Sequence, residues 1–221
     1  MKKPDNRVAA AEAAFIAGIT DRDVNRLIDE QILPETLYEK NEGRRFRKLS
    51  CAFANFYFST DKDFSRTLRQ NIITNVWGKM RERADQEKIL SLTFKIDPAD
   101  WKVEPPFGRV DFVRYLIETQ QRARLVDRAL EEIVIDSEIL AGEPVFKNTR
   151  IPIWNIAGSI DANISVKQIL REYPSLTQEK IELACVYAKV HPRRGRPRKL
   201  HELNPTWKLV SSKKISTPTV L

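Results

Sequence analysis

Two basic runs carry the side chains best suited to chemistry. Arg44-Arg45-Phe46-Arg47-Lys48 sets four cations in five residues, and Pro192-Arg193-Arg194-Gly195-Arg196-Pro197-Arg198-Lys199 sets five in eight. A guanidinium fork makes paired, charge-assisted hydrogen bonds to phosphates and carboxylates. The chemistry to expect is therefore the binding of an acidic partner. Signs of bond-making chemistry are missing: the sequence has neither G-x-x-x-x-G-K-[ST] nor G-x-G-x-x-G. Both histidines, His191 and His201, fall in the basic tail without an obvious nucleophile. Asp97, Asp100, Glu104 and Asp111 cluster around a Pro-rich loop. Paired carboxylates can hold a metal or move protons, but carboxylates beside helix starts are more often caps. No catalytic residue, metal or cofactor is expected, and the chain is not expected to be an enzyme. Cys51 and Cys185 sit in apolar helical contexts, as reduced thiols of a cytoplasmic protein do.

The charge is unevenly spread. Net charge is +8 over 221 residues. From 191 onward, eight cations face Glu202 alone, a net of +7, which leaves about +1 for residues 1–190. Basic character thus belongs to the tail. No run of about 18 apolar residues is present, so no membrane span is expected. The basic, then Ala-rich start invites a signal-peptide reading, but Glu12 interrupts its apolar stretch.

Elements to position these residues can be read in order. Val8–Ala17 is a helix broken by Gly18, and Thr20 N-caps a second helix with Asp23 at its third position. Val24, Leu27 and Ile28 face inward there, leaving Arg22, Asn25 and Arg26 outward. Helix, Gly-containing turn, helix is the pattern whose second helix enters the major groove of DNA. Ile32–Tyr38, Asn41-Glu42-Gly43 and Arg44–Leu49 read as a hairpin with Gly at its tip. Its basic return strand suits a wing lying on phosphates. Ser50 then caps a helix carrying Phe53, Phe56 and Tyr57. The order helix, turn, helix, wing resembles the MerR/excisionase type of winged helix-turn-helix. The expected DNA contacts are Thr20, Arg22, Asn25, Arg26, Arg44, Arg45, Arg47 and Lys48.

The middle of the chain is less legible. Phe64, Leu68, Ile72, Val76 and Met80 recur every four residues and suggest a helix. Lys88–Ile96 alternates, with Leu90, Leu92, Phe94 and Ile96 on one side, as a half-buried strand does. Such a strand needs a partner, here or in a second copy of the chain. Pro98, Pro105 and Pro106 mark a loop containing Trp101. A long helical pattern follows from about Val110 to Glu132, with Gln120–Arg124 as a polar, solvated connector. Dimerisation is the function expected of this segment.

Residues 133–191 hold two short apolar runs and three short amphipathic helices. Ile133–Ile135 and Pro144–Phe146 flank a turn at Ala141–Gly142. Ile153, Ile156, Ala157 and Ile160 form one helix face, with Pro152 suited to the first helical position and Asn163 to a left-handed stop. Val166, Ile169, Leu170 and Tyr173 form the second, with Ser165 and Gln168 as a capping box. Ile181, Ala184, Cys185 and Ala188 form the third, N-capped by Thr177. Helices this short must pack on one another.

The residues Glu143 to Pro152, Ile169-Leu170 before Tyr173-Pro174, Leu176-Thr177, Ala184 and Tyr187-Ala188 resemble the domain of unknown function 433. That family is met mainly as bacterial antitoxins of the VapB type. The resemblance covers about 60 of 221 residues. It departs at Asn148, where the family has Gly, and at Ala141, where a second Gly is common. Asn tolerates positive φ next best, so the turn at 148 can survive. What the resemblance implies is a three-helix, homeodomain-like unit in a protein that neutralises a PIN-like ribonuclease.

The tail after His191 lacks apolar periodicity and is read as flexible. Its Arg-Gly-Arg-Pro core resembles the AT-hook, which lays arginines in the narrow minor groove of A·T-rich DNA. Under the antitoxin reading the same arginines pair with the metal-binding carboxylates of the ribonuclease, and Trp207 and Leu209 supply an apolar anchor. A solvated tail without a fixed partner is the bland alternative. The adjoining domain favours toxin contact through Arg193, Arg194, Arg196, Arg198 and Trp207.

The expected fold is mainly α with small β elements, an α+β chain in four parts. A winged helix-turn-helix spans 1–58, a strand-helix segment 59–132, the three-helix domain 133–191, and a flexible basic tail 192–221. The expected function is an antitoxin and autorepressor, homodimeric, that binds operator DNA and a PIN-like toxin. The alternative is a plain DNA-binding transcription factor with an AT-hook-like arm.

Overall fold

A computed structural model describes residues 7–40, 43–104 and 109–193 of the chain. The described residues are mainly helical, with three small antiparallel sheets. The expected hairpin tip at Asn41-Glu42, the prolines Pro105 and Pro106, and the tail beyond Arg193 lie outside them.

The first helix, α1, runs Ala10–Ala17 and stops because Gly18 takes the left-handed conformation at φ 70°. The Gly18 N–H bonds the Phe15 carbonyl at 3.1 Å and the Ile19 N–H bonds the Ala14 carbonyl at 3.0 Å, the pairing that closes a helix C-terminus. Two residues later Thr20 caps α2, Asp21–Asp29, its hydroxyl accepting from the Asp23 N–H at 3.2 Å. Val24, Leu27 and Ile28 are buried, as their spacing requires. Three short strands complete this unit: β1, Arg7–Ala9, precedes α1, while β2, Tyr38–Glu39, and β3, Arg45–Arg47, follow α2, in the order β1-β3-β2. Val8 and Tyr38 both oppose Phe46, which is fully buried between them. The expected hairpin is therefore two strands of a three-stranded sheet with β3 at its centre, and the third strand is residues 7–9, the last two of which were expected to be helical; Glu35–Leu37 of the expected first strand form a 3-10 turn instead. Helix α3, Lys48–Ser59, begins directly after β3 with Arg47 as its cap. Ser50, expected to cap it, lies inside the helix and is buried; its hydroxyl donates to the Arg47 carbonyl.

Helix α4, Arg66–Met80, is capped by Ser65 and buries Ile72, Ile73, Val76, Trp77 and Met80. Helix α5 is a single short piece, Gln86–Leu90. It replaces the first half of the strand expected over Lys88–Ile96. The expected facing holds, since Leu90, Leu92 and Phe94 are buried, but the backbone turns back at Leu92, φ 57°. The reason lies far along the chain: the Gln120 side-chain amide donates to the Leu92 and Phe94 carbonyls, at 3.1 and 2.9 Å. These carbonyls thus need no partner strand. Strands β4, Lys102–Val103, and β5, Val110–Asp111, pair antiparallel beside the buried Trp101, which stacks on Phe94 at 5.3 Å.

Helix α6, Val113–Glu132, is the backbone of the whole arrangement. Gln120 and Ala123 are buried in its middle, so Gln120–Arg124 is not the solvated connector that its polarity suggests. One apolar core runs from Val8 to Val126 and takes in Val190; a second runs from Ala129 to Tyr187. Helix α6 contributes to both. The first core continues across residue 58, so the N-terminal unit and the middle segment share one interior.

Beyond α6, β6 (Ile133–Val134) pairs with β7 (Val145–Phe146), Ile133 opposite Phe146. Helices α7 (Ile153–Asp161), α8 (Val166–Glu172) and α9 (Gln178–Val190) follow. Asn163 takes φ 59° and ends α7, and Ser165 and Thr177 accept from Gln168 and Lys180 N–H groups as caps. Two details differ from expectation. Pro152 precedes the first helical position and stands at the N-cap. The Gln168 side chain does not close a capping box; it donates to Glu172 at 3.4 Å. Helix α9 packs against α6, α7 and α1, which ties the C-terminal unit to the N-terminal one.

Candidate nucleic-acid and partner interfaces

The outward face of α2 and the start of β3 meet through one arginine. Arg44 Nη1 donates to Asn25 Oδ1 at 2.7 Å, and its Nη2 donates to Asp29 Oδ1 at 2.8 Å. The turn that precedes β3 is thereby held against α2, as a wing beside a recognition helix would be. Arg26 is engaged on the same helix. Its Nε lies 2.7 Å from Glu30 Oε1, its Nη1 lies 3.2 Å from Asp23, and its guanidinium covers the Phe58 ring at 5.3 Å. The hydrogen bond from Arg26 holds the Glu30 carboxyl below the usual carboxylate range. Thr20 is committed to its cap and also donates to Asp23 Oδ2 at 2.7 Å. Asp21, Asp23, Asp29 and Glu30 outnumber Arg22 and Arg26 on this stretch, four to two.

The other half of the basic run points elsewhere. Arg47 lies 3.5 Å from Glu87 of α5 with a side chain only 19% exposed. Lys48 Nζ lies 2.6 Å from Asp127 of α6 with a side chain only 12% exposed. Both cations face the middle of the molecule, so neither stands where a phosphate could reach it without breaking an ion pair. Of the eight residues expected at DNA, Arg22 and Arg45 are exposed and form no ion pair with the described residues. Asn25 is exposed but holds Arg44.

Three of the four residues of the expected acidic cluster, Asp97, Asp100 and Asp111, have structural partners. Asp97 accepts from the Ala99 N–H at 3.0 Å and Asp111 from the Val113 N–H at 2.8 Å, both as local caps. Asp100 lies 2.6 Å from Arg83, which also pairs with Asp85. The hydrogen bond from Arg83 depresses the Asp85 carboxyl. Among the described residues no group of three or more His, Cys, Asp or Glu side chains is placed to hold a metal. Burial pushes the Cys51 thiol up to about 12, and burial raises Cys185 as well.

The start of the tail is fixed. Arg193 lies over the Trp154 ring of α7 at 4.9 Å and pairs with Glu143, just before β7. The His191 ring lies tilted against Tyr187 with centroids 4.5 Å apart, its Nε2 4.0 Å from Glu12 of α1. Arg193 was expected to reach a toxin; here it anchors the tail to its own domain. Trp154 and Glu143 were missed as its partners, and only their clustering near the tail's origin in the fold identifies them. Arg194, Arg196, Arg198 and Trp207 lie outside the described residues.

Fold and surfaces together define a helical α+β protein with a strand-supported helix pair at one end and a three-helix unit at the other. The model of the family described as Protein of unknown function (DUF433) matches residues 133–188, which are that three-helix unit with its two strands. A protein of Sinorhizobium fredii, described as uncharacterized protein y4eO, is 33% identical over 207 residues, 94% of this chain and 91% of the relative. The chain belongs to the family of that protein. The similarity extends well beyond 133–188, so the N-terminal and middle segments are shared as well. No solved structure matches.

Proposed function

We propose that this protein is the antitoxin of a toxin–antitoxin pair, binding its own operator through the N-terminal unit and blocking a PIN-like ribonuclease through the C-terminal one. In this reading α1, the Gly18 turn and α2 form a helix-turn-helix, and the β1-β3-β2 sheet is its wing. Arg22, Asn25 and Arg45 meet DNA directly, Arg44 fixes the wing to α2, and Arg47 and Lys48 brace the wing against α5 and α6. A homodimer presents two such units to two half-sites. The DUF433 unit, read as homeodomain-like, carries the tail whose arginines pair with the metal-binding carboxylates of the toxin.

The observation that carries the toxin contact is the seating of Arg193 on Trp154 and Glu143. It gives the basic tail a fixed point of departure from the DUF433 unit, which lowers the entropy cost of presenting the remaining arginines. The test is co-purification of the full chain and of a chain ending at residue 193 from the native host after nuclease treatment. One small acidic protein, retained by the first and lost from the second, is the expected outcome. A partner retained equally by both would move the contact off the tail. With no stoichiometric partner and with promoter DNA enriched before nuclease, the protein is a plain transcription factor.

A further inference from the structure

On α2 and its C-cap Glu30, four acidic residues stand against two arginines, a charge balance unfavourable for phosphate contact. Helix α4 contains no acidic residue from Arg66 to Met80. Thr67, Asn71, Thr74 and Asn75 are exposed, with half-buried Gly78 next in line, a stripe at i, i+4, i+7, i+8 and i+11, and Arg66 and Lys79 are exposed beside it. Nothing in the described chain covers this stripe, while the opposite face is locked in the core. Arg69 turns inward, donating to the Tyr57 carbonyl with its guanidinium 4.1 Å from the Tyr57 ring centre. The stripe therefore sits on a rigid rod about 22 Å long. At its N-terminal end Arg66 donates to the Glu30 carbonyl and Gln70 to the Gln31 carbonyl, which joins α4 to the end of α2.

Alongside the stripe runs an open groove of about 900 Å³ between α4 and the paired strands β4 and β5. Thr74, Asn75 and Lys79 line one wall, and Lys102 and Arg109 line the other. Glu82 and Glu104 also border it, but Glu82 is paired with Arg81 at 3.5 Å. Lys79, Lys102 and Arg109 thus outnumber the two glutamates, three to two, the reverse of the balance on α2.

We propose that α4 and the paired strands β4 and β5 form a double-stranded DNA contact, with Asn71 and Asn75 at base edges in the major groove and Lys79, Lys102 and Arg109 on the phosphates beside it. Asparagine amides pair bidentately with adenine, and threonine hydroxyls serve either bases or phosphates. A straight helix with amides on its open face fits the major groove of B-DNA but not the deep, narrow one of duplex RNA. The inference rests on the reading of the chain as DNA-binding and moves the base contacts from α2 to α4.

The test is anisotropy titration of the full-length protein with a labelled duplex from the region upstream of its own gene, an unrelated duplex, and a duplex RNA of the upstream sequence. The titrations are run over a range of salt. Wild type is compared with Asn71→Ala/Asn75→Ala, with Lys79→Ala/Lys102→Ala/Arg109→Ala, and with Arg22→Ala/Arg45→Ala. All these side chains are exposed or half-exposed, and unchanged melting temperatures verify the fold. The asparagine pair should lose about tenfold or more of the preference for the upstream duplex and keep its affinity for the unrelated one. The triple variant should lose affinity for both, with the salt slope reduced by about 2–3. Wild-type binding by both α4 variants, with loss only in Arg22→Ala/Arg45→Ala, would overturn the α4 site and leave the DNA-binding reading standing. The same holds if the α4 variants change only the oligomeric state in sedimentation. Stronger binding to the RNA duplex would overturn the commitment to DNA, and no binding of any duplex by wild type would overturn both readings.

Discussion

Lys48 Nζ lies 2.6 Å from Asp127 Oδ1, joining the last cation of the basic run to the middle of α6. The lysine side chain is 12% exposed and the aspartate 46%, so the two partners differ in what their loss leaves behind. Asp127→Ala strands a largely buried ammonium and should cost about 1–2 kcal/mol. Lys48→Met keeps the buried stem and leaves a carboxylate that water can reach, for a cost below about 1 kcal/mol. Urea unfolding of both variants checks the order. If Lys48 served DNA instead, Lys48→Met would lower the salt slope of DNA binding by about 1; an unchanged slope is expected.

Ala141 occupies the left-handed region at φ 55°, directly after Leu140 at φ 48° and before Gly142 at φ 82°. An alanine there pays a steric cost that glycine does not. Ala141 is exposed, so nothing packs against the missing methyl. Ala141→Gly should therefore stabilise the protein by about 0.5–1 kcal/mol. Asn148, at φ 61°, tolerates the same region better, and Asn148→Gly should change stability by only a few tenths of a kcal/mol. Thermal denaturation of the two variants, compared side by side, decides whether the order holds.

The difference between these two positions shows what could be read from residue types. Asn148 and Asn163 were legible as left-handed turns because asparagine is one of few residues that tolerate them, and both have positive φ. The caps Thr20, Ser165 and Thr177 were legible for the same reason: short oxygen-bearing side chains stand three residues before the N–H they accept. Lys88–Ile96 failed on a longer connection. Its apolar alternation gave the correct buried face, but whether that face belongs to a strand depended on Gln120, whose amide meets the carbonyls of Leu92 and Phe94. The basic run Arg44–Lys48 failed similarly. Its charge was plain, but Asp29, Glu87 and Asp127, which take up three of its members, are scattered over about 100 positions of chain. The α4 stripe left one local signal, a helical period without a single acidic residue.

The two thiols should respond differently to a soluble disulfide reagent. Cys51 is fully buried and its thiol is pushed up to about 12, while Cys185 is half-buried and raised by the same desolvation. The attacking species is the thiolate. At pH 8 the native protein should be labelled at Cys185 first, and at Cys51 only on denaturation. The linkage has a definite sign. A folded-state value raised above the unfolded one means that burial of neutral Cys51 supports the fold below the ordinary thiol range. That contribution is lost as pH rises through about 12. Mass spectrometry of the labelled peptides reads the order, and equal rates at the two cysteines in the native state would contradict the buried placement of Cys51.

Gly18 lies in the turn between α1 and α2, and two separate constraints act on it. Its φ is +70°, and a Cβ built there would stand 2.7 Å from Arg122 Nη1. The first constraint is local and cannot be relieved; the second involves the end of a long side chain that also pairs with Glu118 at 3.6 Å. Gly18→Ala should cost about 1–2 kcal/mol. In an Arg122→Ala background the steric part vanishes and the backbone part remains, so the cost should fall to about 1 kcal/mol. A double-mutant cycle by urea unfolding measures the difference. Full additivity would mean that Arg122 moves aside freely and that backbone conformation alone holds the turn. Coupling would mean that α6, through Arg122, helps to hold the angle between α1 and α2.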